Sequence, residues 1–253
     1  MIKLQLKGVS KHFAAPDGEV TVALDNISLA IAQGEFVIIV GPNGSGKSTL
    51  MKVLSGRERT SSGTITAVVD GKRHDWNHPN ARMRKRIGQI RQDPVAGTVD
   101  ELTVAENLRF ASLPRYPLPF RRALPAAWLR RAQETLSIAS LATKTGAFAS
   151  ELSHGQRQLL ALEMAAARSV QLLLLDEPTA SLDRKNANFC MQRVEALRAQ
   201  LAATVLLVTH DMVIASEYGD RLLILRDGKI VADLVGDEKR NLGPEDVFRL
   251  SGF

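Results

Sequence analysis

The sequence predicts an α/β fold: a parallel β-sheet flanked by helices and interrupted by an all-helical insertion. Three observations carry this expectation. Short apolar runs at Phe36–Val40, Leu172–Leu175 and Thr204–Val208 have the composition of strands buried on both faces. Strand and helix patterns alternate around them, which implies a parallel sheet with helices on its faces. Between about Thr103 and Arg168 the spacing is helical and no strand is convincing, which marks a second subdomain.

Taken in order, Ile2 to Leu6 alternates apolar and polar residues, and Ile27, Leu29 and Ile31 share one face, as in half-buried strands. The Gly34-Glu35 turn leads into Phe36–Val40, which runs straight into Gly41-Pro42-Asn43-Gly44-Ser45-Gly46-Lys47-Ser48-Thr49 and a helix ending before Gly56. Strands follow near Gly63–Val69 and Ile87–Ile90, with Asp70-Gly71 as a turn. Thr103 and Glu106 have the form of a capping box opening a helix. Pro114, Pro117, Pro119 and Pro125 then break the pattern into a loop, and helical spacing resumes at Ala126. A long helix spans about Arg184 to Leu201, and a last strand is expected at Leu222–Leu225.

The chain has 253 residues, 45% of them hydrophobic, enough for a sizeable core. Its net charge of +6 permits an acidic partner without naming one. The denser basic stretches, Arg82, Arg84, Lys85 and Arg86, then Arg121, Arg122, Arg130 and Arg131, read as solvated faces, with a membrane-facing or nucleic-acid-facing role as the alternative. Cys190 is the only cysteine, so no internal disulfide is possible; within a helix it reads as a small buried hydrophobe. Met1–Lys7 alternates as a strand does, unlike a signal peptide, and no apolar run approaches the roughly 18 residues of a spanning helix.

Gly41 to Ser48 matches G-x-x-x-x-G-K-[ST] between a strand and a helix. Glycines let the backbone turn so that successive N–H groups face a phosphate, aided by the helix N-terminus. Lys47 is placed to reach the β- and γ-phosphates and the Ser48 hydroxyl to coordinate Mg²⁺, so the segment reads as a nucleoside triphosphate site. The run Leu172 to Leu175 ends in Asp176-Glu177-Pro178, delivering two carboxylates at the end of a parallel strand, where such sheets bind ligands. Asp176 suits a Mg²⁺-holding role and Glu177 that of a general base toward water.

Leu152-Ser153-His154-Gly155-Gln156, just upstream of that strand, resembles the signature L-S-G-G-Q of the ATP-binding cassette (ABC) ATPases. Ser153 would also serve as an ordinary helix N-cap. His154 departs from the motif, but its backbone N–H survives the substitution. Further motifs in the family's order extend the resemblance over nearly the whole chain. Gln92 looks like the Q-loop glutamine that contacts Mg²⁺ and the attacking water, Asp183 in Ser181-Leu182-Asp183 like the D-loop, and His210 like the switch histidine at the γ-phosphate. Phe13 stands where an aromatic residue stacks on adenine; core packing is the other reading.

The resemblance implies a P-loop NTPase (RecA-like) core with an N-terminal antiparallel β subdomain (1–92 and 169–235), an inserted helical signalling subdomain (93–168) and a C-terminal tail (236–253). It implies ATP and Mg²⁺ as ligands, and Ser153, Gly155, Gln156 and Asp183 acting on nucleotide held by a second cassette, an identical copy in the simplest case. It further implies transmembrane permease subunits on whose cytoplasmic face the chain docks, with a substrate-binding protein as a further partner and no nucleic acid. Arg86 to Pro94 with Gly97-Thr98, and Gly236 to Leu242, are similar to bacterial solute-uptake ATPases. Val20 to Asp25 also resembles the lipoprotein-release and macrolide-export type.

Overall fold

The computed structural model describes residues 2–113, 136, 141–168 and 170–252. Two sheets organise them. The first is antiparallel, in the order β2-β1-β4-β5, from β1 (Ile2–Ala14), β2 (Val20–Ile31), β4 (Ser62–Val69) and β5 (Lys72–Asp75). The second has the order β10-β9-β3-β8-β7-β6. Its members β3 (Phe36–Val40), β6 (Ile87–Ile90), β7 (Leu172–Asp176), β8 (Thr204–Val208) and β9 (Arg221–Arg226) run parallel, and β10 (Lys229–Val235) closes one edge antiparallel to β9.

Strand β3 is buried at all five positions, as its unbroken apolar composition requires. Val37 and Ile39 face the antiparallel sheet and α1 (Lys47–Leu54), together with Leu4, Leu6, Leu50 and Met51. Phe36, Ile38 and Val40 face the opposite way, onto the helices. The period-two reading of the first strands holds: Ile2, Leu4, Leu6, Ile27, Leu29 and Ile31 are all buried. Trp76 is fully buried and donates its indole N–H to Leu54 O at 2.8 Å, tying the end of α1 to the chain leaving β5.

Among the described residues the further helices are α2 (Ala81–Arg84), α3 (Val104–Ser112), α4 (His154–Ala167), α5 (Arg184–Leu201), α6 (Met212–Glu217), α7 (Gly236–Arg240) and α8 (Pro244–Ser251). The expected capping box opens α3: Glu106 N donates to Thr103 Oγ1 at 3.2 Å and Thr103 N to Glu106 Oε2 at 2.8 Å. Cys190 is buried within α5, and burial pushes its thiol pKa up to about 12, so it is an inert hydrophobe. Pro114, Pro117, Pro119, Pro125, the resumption at Ala126 and Arg121, Arg122, Arg130 and Arg131 lie outside the described residues. Arg82, Arg84 and Lys85 are exposed, whereas Arg86 pairs with Asp70 at 2.7 Å. Among the described residues no helix is long and apolar enough to cross a membrane.

The first two strands run beyond the bounds that alternation alone suggests. β1 runs on to Ala14 and β2 begins at Val20, because register shifts between Leu6 and Lys11 and the left-handed Asn26 (φ 53°) break the alternation without ending the pairing. The tail beyond residue 235 forms α7 and α8, and Val247 of α8 is fully buried.

Candidate active site: a phosphate loop beside paired strand ends

The loop Gly41–Gly46 joins β3 to α1 and is shaped by backbone crowding. Gly46 has φ 102°, and a Cβ there would lie 2.3 Å from Ala23 O; one at Gly41 would lie 2.0 Å from Leu225 O. No other residue fits either position. Lys47, the first residue of α1, is only 6% exposed, and its ammonium donates to Gly41 O at 2.6 Å and Pro42 O at 2.8 Å. Burial pushes its pKa below the ordinary lysine value, opposed by the negative charges of Glu177 and Asp176. The two carboxylates therefore sit within electrostatic reach of the loop.

Asp176 ends β7, paired in register with Val208 at the end of β8. Burial raises its pKa above the ordinary carboxylate value, opposed by the positive charges of Lys47, Lys52, His210 and Arg91. Glu177 follows in a left-handed conformation (φ 50°), its N–H donating to Val208 O at 2.9 Å. This turn aims its carboxylate at His210, two residues beyond the end of β8: Glu177 Oε1 lies 2.8 Å from His210 Nε2. Below His210, the Thr209 hydroxyl accepts from Asp211 N at 3.0 Å, and Asp211 caps α6 through Val213 N and Ile214 N.

Ser48 is exposed in the first turn of α1, with Thr49 beside it. A serine hydroxyl and one carboxylate are what Mg²⁺ takes from a protein when phosphates and water complete its octahedron, so Ser48 and Asp176 fit that ion. Among the described residues no group of three or more His, Cys, Asp or Glu forms a self-contained metal site. Gln92 is exposed in the turn after β6. Phe13, 37% exposed at the end of β1, is not packed in the core; the Lys11 ammonium lies 4.7 Å from its ring centroid.

The structure thus brings together Lys47, Asp176, Glu177 and His210. A second group gathers elsewhere. Ser153 caps α4 in a capping box with Gln156, whose Oε1 accepts from Ser153 N at 3.2 Å and from Lys144 Nζ at 2.9 Å. A Cβ on Gly155 would approach Leu182 to 3.0 Å. Asp183 caps α5, accepting from Asn186 N at 2.9 Å, and that backbone bond holds its carboxyl below the ordinary range. Ser153, His154, Gly155 and Gln156 share one groove with Ser181, Leu182 and Asp183, and no phosphate-loop residue lines it. Sequence reasoning gave no role to Lys52 or to Arg91, the neighbour of Gln92, whose charges reach Asp176.

The fold and this loop define a P-loop nucleotide-binding protein. A family model described as ABC transporter matches residues 24–180, and the chain belongs to that family. It is 37% identical over 246 residues, 96% of either chain, to the tyrosine transport ATP-binding protein of Clostridioides difficile (strain R20291). To the glutamine transport ATP-binding protein GlnQ of Escherichia coli (strain K12) it is 35% identical over 231 residues, covering 91% of this chain and 90% of that one. Among solved structures it resembles the ATP-binding cassette MJ0796 in a dimeric post-hydrolysis state bound to ADP and Pi, with TM-score 0.76 and 30% identity over 92% of this chain and 98% of that one. Membership of the family carries ATP binding and hydrolysis as general properties.

Proposed function

We propose that this chain is the ATP-hydrolysing motor of an uptake system for a small organic solute, acting as a dimer on separate membrane-spanning subunits. The observation that supports a working motor is the 2.8 Å approach of His210 to Glu177 beside the buried Lys47, a base and its orienting partner next to a phosphate cradle. Gly41 to Thr49 wrap the triphosphate with backbone N–H groups, and Lys47 turns from the loop carbonyls to the β- and γ-phosphates. Phe13 stacks on the adenine. Ser48 and Asp176, with Gln92, hold Mg²⁺, which when bound supplies charge neutralisation. Glu177 takes the proton of the attacking water while His210 fixes the carboxylate and contacts the γ-phosphate. Ser153, Gly155, Gln156 and Asp183 act on nucleotide held by the other copy.

The small-solute reading draws support from relatives named for tyrosine and glutamine transport, and the import direction from a methionine import protein of Salmonella paratyphi A 33% identical over 239 residues, 90% of this chain and 65% of that one. The test is a pull-down of tagged Glu177→Gln protein, held with MgATP, from detergent-solubilised membranes of its native cells, read by mass spectrometry. A stoichiometric multi-span permease of importer type, with a solute-binding protein encoded beside it, is the expected partner. A permease of the lipoprotein-release or macrolide-export type would overturn import, and recovery of soluble partners alone would overturn the transport role.

A further inference from the structure

The C-terminal segment carries a buried charge that the proposed chemistry does not use. Lys239, in α7, is 3% exposed, and its ammonium donates to Ser216 O at 2.5 Å. Ser216 lies in the last turn of α6, where carbonyls have no partner within the helix. Asp220 N, the amide that would continue the ladder to Ser216 O, instead donates to Phe36 O of β3 at 2.8 Å. Lys239 therefore takes the place of a helical hydrogen bond at the end of α6 opposite His210.

A six-residue helix is not stable on its own, so its position is set by what holds its two ends and its buried face. Asp211 holds the N-terminal end, directly after His210, and Lys239 holds the C-terminal end. The buried face, Ile214 and Ala215, shares a core cluster with Val247 of α8. Burying an ammonium against a single carbonyl is expensive, and an apolar side chain of similar length would satisfy packing at lower cost. Burial indeed pushes the Lys239 pKa below its ordinary value, with Asp220 opposing.

We infer that Lys239 is a positioning residue for His210: by holding the end of α6 it sets where His210 stands relative to Glu177. The inference rests on the proposed role of His210 in turnover. The test uses the purified full chain with MgATP and compares Lys239→Met, Lys239→Arg and His210→Ala. For Lys239→Met we expect KM for ATP within about twofold of wild type, an unchanged or higher Tm, and kcat lower by about tenfold, less than the hundredfold a full ångström of misplacement can cost. Lys239→Arg, which keeps a donor, should recover most of the lost kcat.

A purely structural lysine would instead lose Tm, or change KM and kcat together. Either result overturns the inference, as does an unchanged kcat in Lys239→Met while His210→Ala is inactive. If His210→Ala itself turns over normally, the reading of His210 fails first and independently.

Discussion

At Glu177 the backbone and the side chain are placed by different neighbours. A left-handed φ of 50° on a non-glycine residue costs about 1–2 kcal/mol. It is kept by the N–H bond to Val208 O, and the turn it makes directs the carboxylate to His210. Strain of this kind gathers where a side chain must be aimed. Gln has the same shape and can accept the same hydrogen bond from His210, but it cannot take a proton from water. Glu177→Gln is therefore expected to lower kcat by about 100-fold or more, the usual worth of a general base, while ATP affinity stays within about twofold. Phosphate release and nucleotide titration measure the two, and a rate above about a tenth of wild type would remove Glu177 from the role. The phosphate loop was fully legible in the sequence because it is contiguous and its glycines answer to local backbone demands. The contact between Glu177 and His210 was not, because it depends on β7 and β8 being neighbours in register, which neither strand's composition declares.

At the scale of elements, what was legible follows the strength of each periodic signal. α5 spans Arg184–Leu201 and β3 spans Phe36–Val40, as read, because each is long enough or apolar enough to have one solution. β5 was missed since Lys72–Asp75 is four polar residues carried only by pairing with β4, and α2 is too short for a 3.6-residue period to show. The sequence also could not show how α4 is held to the core. Glu163 of α4 is fully buried and Arg193 of α5 nearly so, and they form a two-pronged ion pair, with Nη2 2.7 Å from Oε2. Such a pair sets geometry more than stability, but half of it alone is a buried unpaired charge. Arg193→Ala should cost about 3–5 kcal/mol in urea unfolding, whereas replacing both partners with Glu163→Leu and Arg193→Met should restore most of that loss. If the double variant is as unstable as the single one, the pair's value lies in packing around it. Because Ser153 caps α4, the double variant also tests whether a rigid α4 matters for turnover once stability is regained.

On the scale of the whole molecule, the residues proposed to act on nucleotide fall on two separate surfaces. Lys47, Asp176, Glu177 and His210 converge at the C-terminal ends of the parallel strands, where α/β sheets bind ligands. Ser153, Gly155, Gln156 and Asp183 line a groove of their own that contains no phosphate-loop residue. On the proposed reading each chain holds two half-sites, and a pair of copies related by a twofold axis would complete both at once. The related cassette MJ0796 is dimeric in its post-hydrolysis state. This makes a prediction that a site complete within one chain cannot meet. Lys47→Ala removes the phosphate contact, and Ser153→Arg fills the groove opposite; each variant alone should be inactive. In a mixed dimer, the intact phosphate loop of the Ser153→Arg chain faces the intact Ser153–Gln156 segment of the Lys47→Ala chain, and both lesions fall together in the other site. Mixing the two at equal concentration should restore about a quarter of the wild-type rate, because about half the dimers are mixed and each has one good site of two. If the mixture stays as inactive as its components while the variants still pair with MgATP, the sites are not shared between chains in this way.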